Sequence, residues 1–485
     1  MLIRKATVLG AGVMGSQIAA LLVNAGLQVE LLDVVIDPND KNKLSKGGYD
    51  RITHPKKSML YDASFAGNLT YGNFDDDLSE PSSSDIFIEA VKEEIGIKHD
   101  IWRKISRVAK KGAILTTNTS GIPIGQIAKA LSDEDKERFL GFHFFNPPRY
   151  MKLVELIPHE TTNAEVLEVL KAFSEDVLGK GVVTANDVPA FVANRTGVHA
   201  ISDIMARGEK AGFSIVDIDA LSGKAIGRPM GAYQLSDLVG NDVGLYVMKG
   251  LMQDPSEQPV FEMASLLPKL YEKGALGNKT KHGFYKREGR KRLVFNPEVM
   301  DYTEVSKPQV PILAELGRDL SGNMDIIFNA EDAGGTFLWE ILRSTFQYAA
   351  NNVPKAPKDY KDIDRAMVWG FNWKKGPFQL WDMMGFERVK ERMEKELGEL
   401  PQWIHERTEP FYAAGETLDN VTPVAEYIAS NVWDREDSSL NVTHTDQLLF
   451  KIQTKNNTLT DQLSLDLIEA VDTLENGPYS SLVLY

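Results

Sequence analysis

The chain of 485 residues has no cysteine. That excludes disulfides, thiolate metal centres and cysteine nucleophiles, and it suits a reducing compartment. Histidine is scarce as well: the eight present show no close metal-ligand spacing, so no metal is expected. Positive charge is short. With 54 Lys and Arg against 69 Asp and Glu, the net charge is −15, which argues against a nucleic-acid or anionic membrane surface. Long apolar runs are also missing. The one candidate, Val8 to Gly26, is uncharged for nineteen residues. It holds four glycines with Ser16, Gln17 and Asn24, and so reads as a glycine turn and an amphipathic helix, not a membrane span. Because "RKATVLGAG" begins a strand within a few residues of Met1, no signal or transit peptide is expected, and the cytoplasm is the expected location.

What is present is ordinary globular composition, 43% apolar and 25% charged, over a length that suits two to four domains. The first motif lies in "ATVLGAGVMGSQIAALLVNAGLQVELLD". Gly10, Gly12 and Gly15 stand between a strand-like and a helix-like run, and a second β-rich run ends at Asp33. Gly10 permits a tight turn, Gly12 lets the backbone approach a pyrophosphate, and Gly15 lets the helix pack close to its strand. Asp33 is placed to accept hydrogen bonds from an adenosine ribose. Alone, such a glycine triplet is often a mere turn; the strand–turn–helix–strand–Asp context makes it a dinucleotide site. Runs 85–91 and 113–117, with a helical pattern over 94–110 between them, extend this to a doubly wound α/β sheet of the Rossmann type. Glu93 and Lys98 follow one strand end; Asn118, Thr119 and Ser120 follow the next, on the cofactor side.

A second motif, "GFHFFNPPRYMKLVEL" (141–156), hinges two apolar runs on Asn146-Pro147-Pro148. If runs 139–145 and 151–157 pair as an antiparallel hairpin, His143 and Glu155 become near-opposite neighbours about 5 Å apart at Cβ. Two readings are open. Both can be satisfied polar residues at strand ends, or Glu155 can orient His143 and stabilise its imidazolium, making a base for an alcohol proton beside a nicotinamide.

Residues 1 to about 290 resemble the 3-hydroxyacyl-CoA dehydrogenases. The resemblance rests on "GAGVMGSQIA", "EAVKEE", "NTSGIPI", "GFHFFNPPRYMKLVEL", "DVPAFVANR" and "GAYQLSDLVGNDV", in the family's order and near its spacings. It implies NAD as cofactor and an L-3-hydroxyacyl-CoA thioester as substrate, oxidised to the 3-oxo compound in fatty-acid β-oxidation. It also implies His143 as base, Glu155 as its orienting partner, and Ser120 and Asn194 as hydrogen-bond donors to substrate oxygens. Asn146 would lie beside the nicotinamide pocket. Met14, Asp33, Val91, Glu93 and Lys98 fall on the family's NAD-contact positions. Taken alone, Asn194 reads as a helix cap and Lys98 as a solvated helix charge. The same resemblance points to association with a thiolase. A dehydrogenase of a small free hydroxy acid, and a non-catalytic binding protein on the same fold, are the alternatives.

Two departures are visible. Relatives commonly read Lys-Thr-Gly-x-Gly-Phe-Tyr where this chain has Lys279-Thr280-Lys281-His282-Gly283-Phe284-Tyr285, so another backbone path is expected there. The lysines at 41, 43, 46, 56 and 57 suit either the coenzyme A phosphates or plain solvent.

An internal repeat follows. Residues 217–240 and 362–385 align without gaps at an offset of 145, with eight identities that include Q-L-x-D-x-x-G, and "VSKPQVP" separates the copies. The second copy lacks a nucleotide domain, so its expected role is packing. It can also supply internally the surface that single-copy relatives use to dimerise, giving a monomer. Residues 441–485 resemble the opening of an enoyl-CoA hydratase (crotonase) fold, as strand, turn, helix and strand, without that family's oxyanion segment or catalytic glutamates. They look like the start of a longer bifunctional protein. The expected layout is a nucleotide-binding domain over 1–186, related all-helical domains over 187–305 and 306–435, and an incomplete crotonase-like segment over 441–485.

Overall fold

Runs such as Ile86–Glu89 and Ile114–Thr117 are buried at every position, as a strand covered by helices on both faces requires. The computed structural model describes residues 2–78, 82–258, 261–418, 427–454 and 458–485. It divides into two units, Met1–Ala414 and Gly415–Tyr485.

The first unit opens with an eight-stranded sheet: β1 (Lys5–Leu9), β2 (Gln28–Asp33), β3 (Leu69–Asn73), β4 (Ile86–Glu89), β5 (Ile114–Thr117), β6 (Phe139–Phe144), β7 (Leu153–Pro158) and β8 (Gly181–Thr184). The order is β3-β2-β1-β4-β5-β6-β7-β8, with every neighbour parallel except β6 and β7. The winding reverses between β1 and β4, so the glycine turn after β1 faces the crevice where such sheets take ligands. Helices α1 (Val13–Asn24), α2 (Lys43–Ile52), α3 (Ile95–Val108), α4 (Ile124–Ala128), α5 (Asp133–Lys136) and α6 (Ala164–Ala172) cover it.

The first helical copy follows as α7 (Ala193–Lys210), α8 (Ile215–Ser222), α9 (Ala232–Val239), α10 (Asn241–Leu251) and α11 (Leu266–Glu272). It is not all-helical. A three-stranded antiparallel sheet of β9 (Tyr285–Glu288), β10 (Lys291–Asn296) and β11 (Asp301–Glu304) closes it. These strands are short and charged, with only Val294 and Phe295 of β10 buried, so no apolar alternation marks them. Lys281 has φ 64°, the left-handed conformation that glycine favours, so the lysine sits where the backbone suits the residue it replaces.

The second copy is α12 (Leu320–Asn329), α13 (Ala333–Asn351), α14 (Tyr360–Phe371), α15 (Pro377–Met384), α16 (Phe386–Leu397) and α17 (Gln402–His405). The duplication holds residue for residue at its centre. Asp219 accepts from the N–H groups of Tyr233 and Gln234 and the Tyr285 hydroxyl; Asp364 accepts from those of Phe378 and Gln379 and the Tyr412 hydroxyl. Asp237 takes the Phe284 and Tyr285 N–H groups, and Asp382 those of Phe411 and Tyr412. A Cβ on Gly231 would stand 2.3 Å from the Asp219 Cα, and one on Gly376 would stand 2.4 Å from the Asp364 Cα, which explains why both positions are glycine.

The second unit differs from the expected boundary. Its four-stranded sheet, in the order β12 (Ile428–Asp434), β13 (Ser438–Thr443), β14 (Leu448–Ile452) and β15 (Leu482–Leu484), begins before residue 441 and takes in part of the 306–435 range assigned to the second helical copy. A helix over Asp461–Asn476 packs on it, and Leu440, Leu448, Phe450, Leu463 and Ala470 form its own small core. β15 pairs with β14 on one side only and is an edge. Among the described residues, no helix is long and apolar enough to cross a membrane.

Candidate active site

The turn after β1 has the geometry its glycines predict. Gly10 takes φ 105°, and a Cβ there would meet the Ala90 carbonyl oxygen at 2.6 Å. A Cβ on Gly15 would lie 1.8 Å from the Gly10 oxygen, so only glycine lets α1 start this close to the turn. Gly12 faces open space within 4 Å, so the protein backbone there is accessible to a ligand. It is also the N-cap of α1, with no side-chain cap and no acidic residue in the first turn, so the positive end of the helix faces that space undiminished. Met14, half-buried, lies in this first turn. Asp33 ends β2 and accepts from the Ala11 N–H at 2.7 Å, tying the second strand to the turn. These residues fit a dinucleotide: a glycine cradle, a helix terminus without a side-chain cap and a carboxylate at the end of β2.

The next strand ends are joined by charge. Glu89, buried in β4, accepts from the Val91 N–H, the Thr117 hydroxyl and the Lys98 ammonium, the last at 2.8 Å. Lys98 also reaches Glu93 at 3.1 Å and is 1% exposed, so it is no solvated helix charge. Glu93 is partly exposed and accepts from the Thr119 hydroxyl and the Ser120 N–H. Burial would push its carboxyl up, but Lys98 and these donors outweigh that and hold it below the usual range. Asn118 turns its amide oxygen to the Phe144 N–H, joining the end of β5 to the end of β6. The Ser120 hydroxyl has no protein partner among the described residues.

β6 and β7 place His143 opposite Glu155 in register. The His143 Nδ1 lies 2.7 Å from the Glu155 Oε2; both are buried, with Phe145 and Phe191 against the ring. Since Glu155 has only acceptors when ionised, Nδ1 carries the proton and Nε2 is left free to accept one. The other carboxylate oxygen accepts from the N–H groups of Val192 and Ala193 at 3.0 and 2.8 Å. Those groups are the start of α7, and the chain reaches them through Ala190 and Phe191, two consecutive residues at φ 61° and 50°. Each such residue costs about 1–3 kcal/mol and persists only where its surroundings enforce it. Asn194 follows at once; it is half-buried, does not cap α7, and its side-chain amide makes no hydrogen bond within the protein among the described residues.

The hinge brings Asn146 to the glycine turn, where its oxygen accepts from Gln17 of α1 at 3.0 Å. Lys180, buried, donates to the carbonyls of Pro148 and Met151 and so clamps the hinge; burial pushes its ammonium down to about 8. Of the surface lysines, Lys41, Lys43 and Lys46 pair with Asp76, Asp37 and Asp50. The residue pattern did not single out Glu89, Gln17, Lys180 or the Val192 and Ala193 N–H groups. Glu89 carried a signal, a charge inside a strand buried at every position, whereas backbone N–H groups leave none.

Residues 5–188 match the NAD binding domain of the 3-hydroxyacyl-CoA dehydrogenase family, and residues 191–287 match its C-terminal domain. A probable 3-hydroxyacyl-CoA dehydrogenase from Bacillus subtilis is 37% identical over 426 residues, covering 83% of this chain and 54% of that protein. The chain thus spans about half the length of that relative. Another from Deinococcus radiodurans is 42% identical over 289 residues, 59% of this chain and 84% of that one. The 3-hydroxybutyryl-CoA dehydrogenase structure from Escherichia coli K12 superposes with a TM-score of 0.65 over 84% of this chain and 98% of that one; at 22% identity this is a likeness of fold.

Proposed function

The chain belongs to the 3-hydroxyacyl-CoA dehydrogenase family, and from that premise we propose that it oxidises L-3-hydroxyacyl-CoA thioesters to 3-oxoacyl-CoA with NAD in fatty-acid oxidation. The observation that carries this reading is the buried pair of His143 and Glu155 at 2.7 Å, beside the glycine turn that Asn146 and Gln17 tie to it. His143 takes the 3-hydroxyl proton at Nε2, and Glu155 holds the ring in the tautomer that can accept it and stabilises the imidazolium that results. Bound NAD supplies the acceptor for the hydride that leaves the substrate's C3. Ser120 and Asn194, whose polar ends have no protein partner, hydrogen-bond the substrate oxygens. Glu93 serves the cofactor directly, and Lys98, being buried, serves it through Glu93. Asp33 selects NAD, since its charge repels a 2′-phosphate and Val34-Val35-Ile36 offers no arginine to receive one.

The partners that follow are an acyl-CoA substrate and a thiolase, which consumes the 3-oxo product. The cytoplasm is the compartment we assign, and the internal duplication makes the chain a monomer. Following NADH absorbance with a 3-hydroxyacyl-CoA series of increasing chain length tests the reading. Turnover across the series supports it, while turnover only with free hydroxy acids would replace it.

A further inference from the structure

Glu155 is oriented by two backbone N–H groups that lie beyond a strained turn, so whatever enforces the turn also sets the carboxylate. Arg195, two residues further along α7, shows what does this. Arg195 is wholly buried, and its guanidinium donates to the Pro189 carbonyl at 2.8 Å, on the residue immediately before the left-handed pair. The same guanidinium donates to the Asn352 amide oxygen at 2.6 Å, at the end of α13 in the second helical copy, and pairs with Glu257. Asn352 is itself buried and fixed by its own amide to the Tyr348 carbonyl at 2.8 Å.

The turn is also bracketed from upstream. The Asn186 N–H and side-chain amide donate to carbonyls of Ala356, Pro354 and Lys355 in the second copy, at 2.7 to 3.0 Å. Downstream, a Cβ on Gly197 would lie 2.2 Å from the Phe371 ring of α14, so α7 and α14 meet with no slack. Both flanks of the strained turn are thus held by residues 352–371, a region expected only to pack.

We propose that Arg195 is a positioning residue through which the second helical copy holds the catalytic carboxylate: by joining the Pro189 carbonyl to Asn352, it enforces the turn that aims the Val192 and Ala193 N–H groups at Glu155. The inference rests on the role assigned to the His143 and Glu155 pair. A planar fork makes these bonds simultaneously, which a lysine at the same place cannot do.

The test uses the full chain carrying Arg195→Lys, Asn352→Leu or Asn352→Asp, with Glu155→Gln as control, and rates are normalised to sites that bind NADH by fluorescence titration. Asn352→Leu and Arg195→Lys should each lower kcat by roughly 10–100-fold, the cost of a small misplacement of a catalytic group. NADH affinity should stay within about twofold, and the acid limb of kcat/KM should move to lower pH, because a displaced carboxylate no longer favours the imidazolium. Asn352→Asp, which keeps the acceptor for Arg195 but loses the amide donor to the Tyr348 carbonyl, should restore part of the turnover lost in Asn352→Leu. If Asn352→Leu does not fold, Arg195→Lys decides alone. Normal kcat per NADH site and an unmoved acid limb in the folded variants, with Glu155→Gln impaired, would overturn the inference and leave the catalytic pair standing. Normal turnover in Glu155→Gln would instead remove the pair's assigned role.

Discussion

The two helical copies share a skeleton and differ in what they touch. Each has a buried aspartate that takes two N–H groups and a tyrosine hydroxyl, a second that takes the N–H groups of a Phe-Tyr pair, and a glycine pressed on the first aspartate. Only the first copy follows a nucleotide-binding domain, and only its leading helix presents backbone N–H groups to Glu155 with Asn194 beside them. What was kept in both is the set of buried polar groups that cannot lose a partner without leaving a charge unsatisfied. The first copy carries the contacts to Glu155, and the second copy meets that copy's leading helix through Asn352 and Phe371.

The sharpest way to separate chemistry from packing is His143→Gln. With no base at Nε2, kcat should fall by roughly 10²–10⁴ while NAD affinity hardly changes. Steady-state rates with a binding titration check this, and near-normal turnover would leave the site without its centre.

The shared skeleton predicts matched losses of stability. Asp237→Ala and Asp382→Ala each strand two backbone N–H groups, and each should cost about 2–4 kcal/mol by denaturant unfolding. If only one of the two were costly, the copies would not be equivalent in structure.

The seam between the copies should be sensitive to acid. His199 of α7 stacks on Tyr348 of α13 at 3.8 Å, and burial pushes its imidazole down to about 4, with Asp203 and Glu257 opposing only in part. Its folded value lies below its unfolded one, so its contribution is complete above about pH 6.5 and is lost as pH falls towards 4, roughly 3 kcal/mol in all. His199→Phe, which keeps a ring in the stack, should flatten that part of the stability–pH curve. An unchanged slope would place the acid sensitivity elsewhere.

The smallest effect belongs to the second unit. With its own core and its own sheet, Gly415–Tyr485 should be removable by limited proteolysis with dehydrogenase kcat changed by less than about twofold.

Much of this was legible because period and punctuation carry it. Continuous apolar runs marked β4 and β5, and the symmetry of "GFHFFNPPRYMKLVEL" about its hinge set His143 opposite Glu155, the register observed. The gapless repeat located the second copy but stopped at Gly385. Beyond it the copies differ in length, so the match of Phe284-Tyr285 to Phe411-Tyr412 emerges only from the aspartates that bind them. The β9–β11 sheet escaped because its strands are short and charged, and the early start of the last unit because β12 is largely exposed. The tie from Arg195 to Asn352 spans 157 positions and has no periodic signature at all.

The most direct measurement of the central claim is the pH dependence of the hydride-transfer step, followed as NADH in a single turnover of an L-3-hydroxyacyl-CoA by the parent chain and by His143→Gln. A base that must be neutral to accept the hydroxyl proton gives the parent an acid limb, and the variant should show a low rate without that limb. The same limb in both proteins would mean that another group takes the proton, and would contradict the assignment of His143.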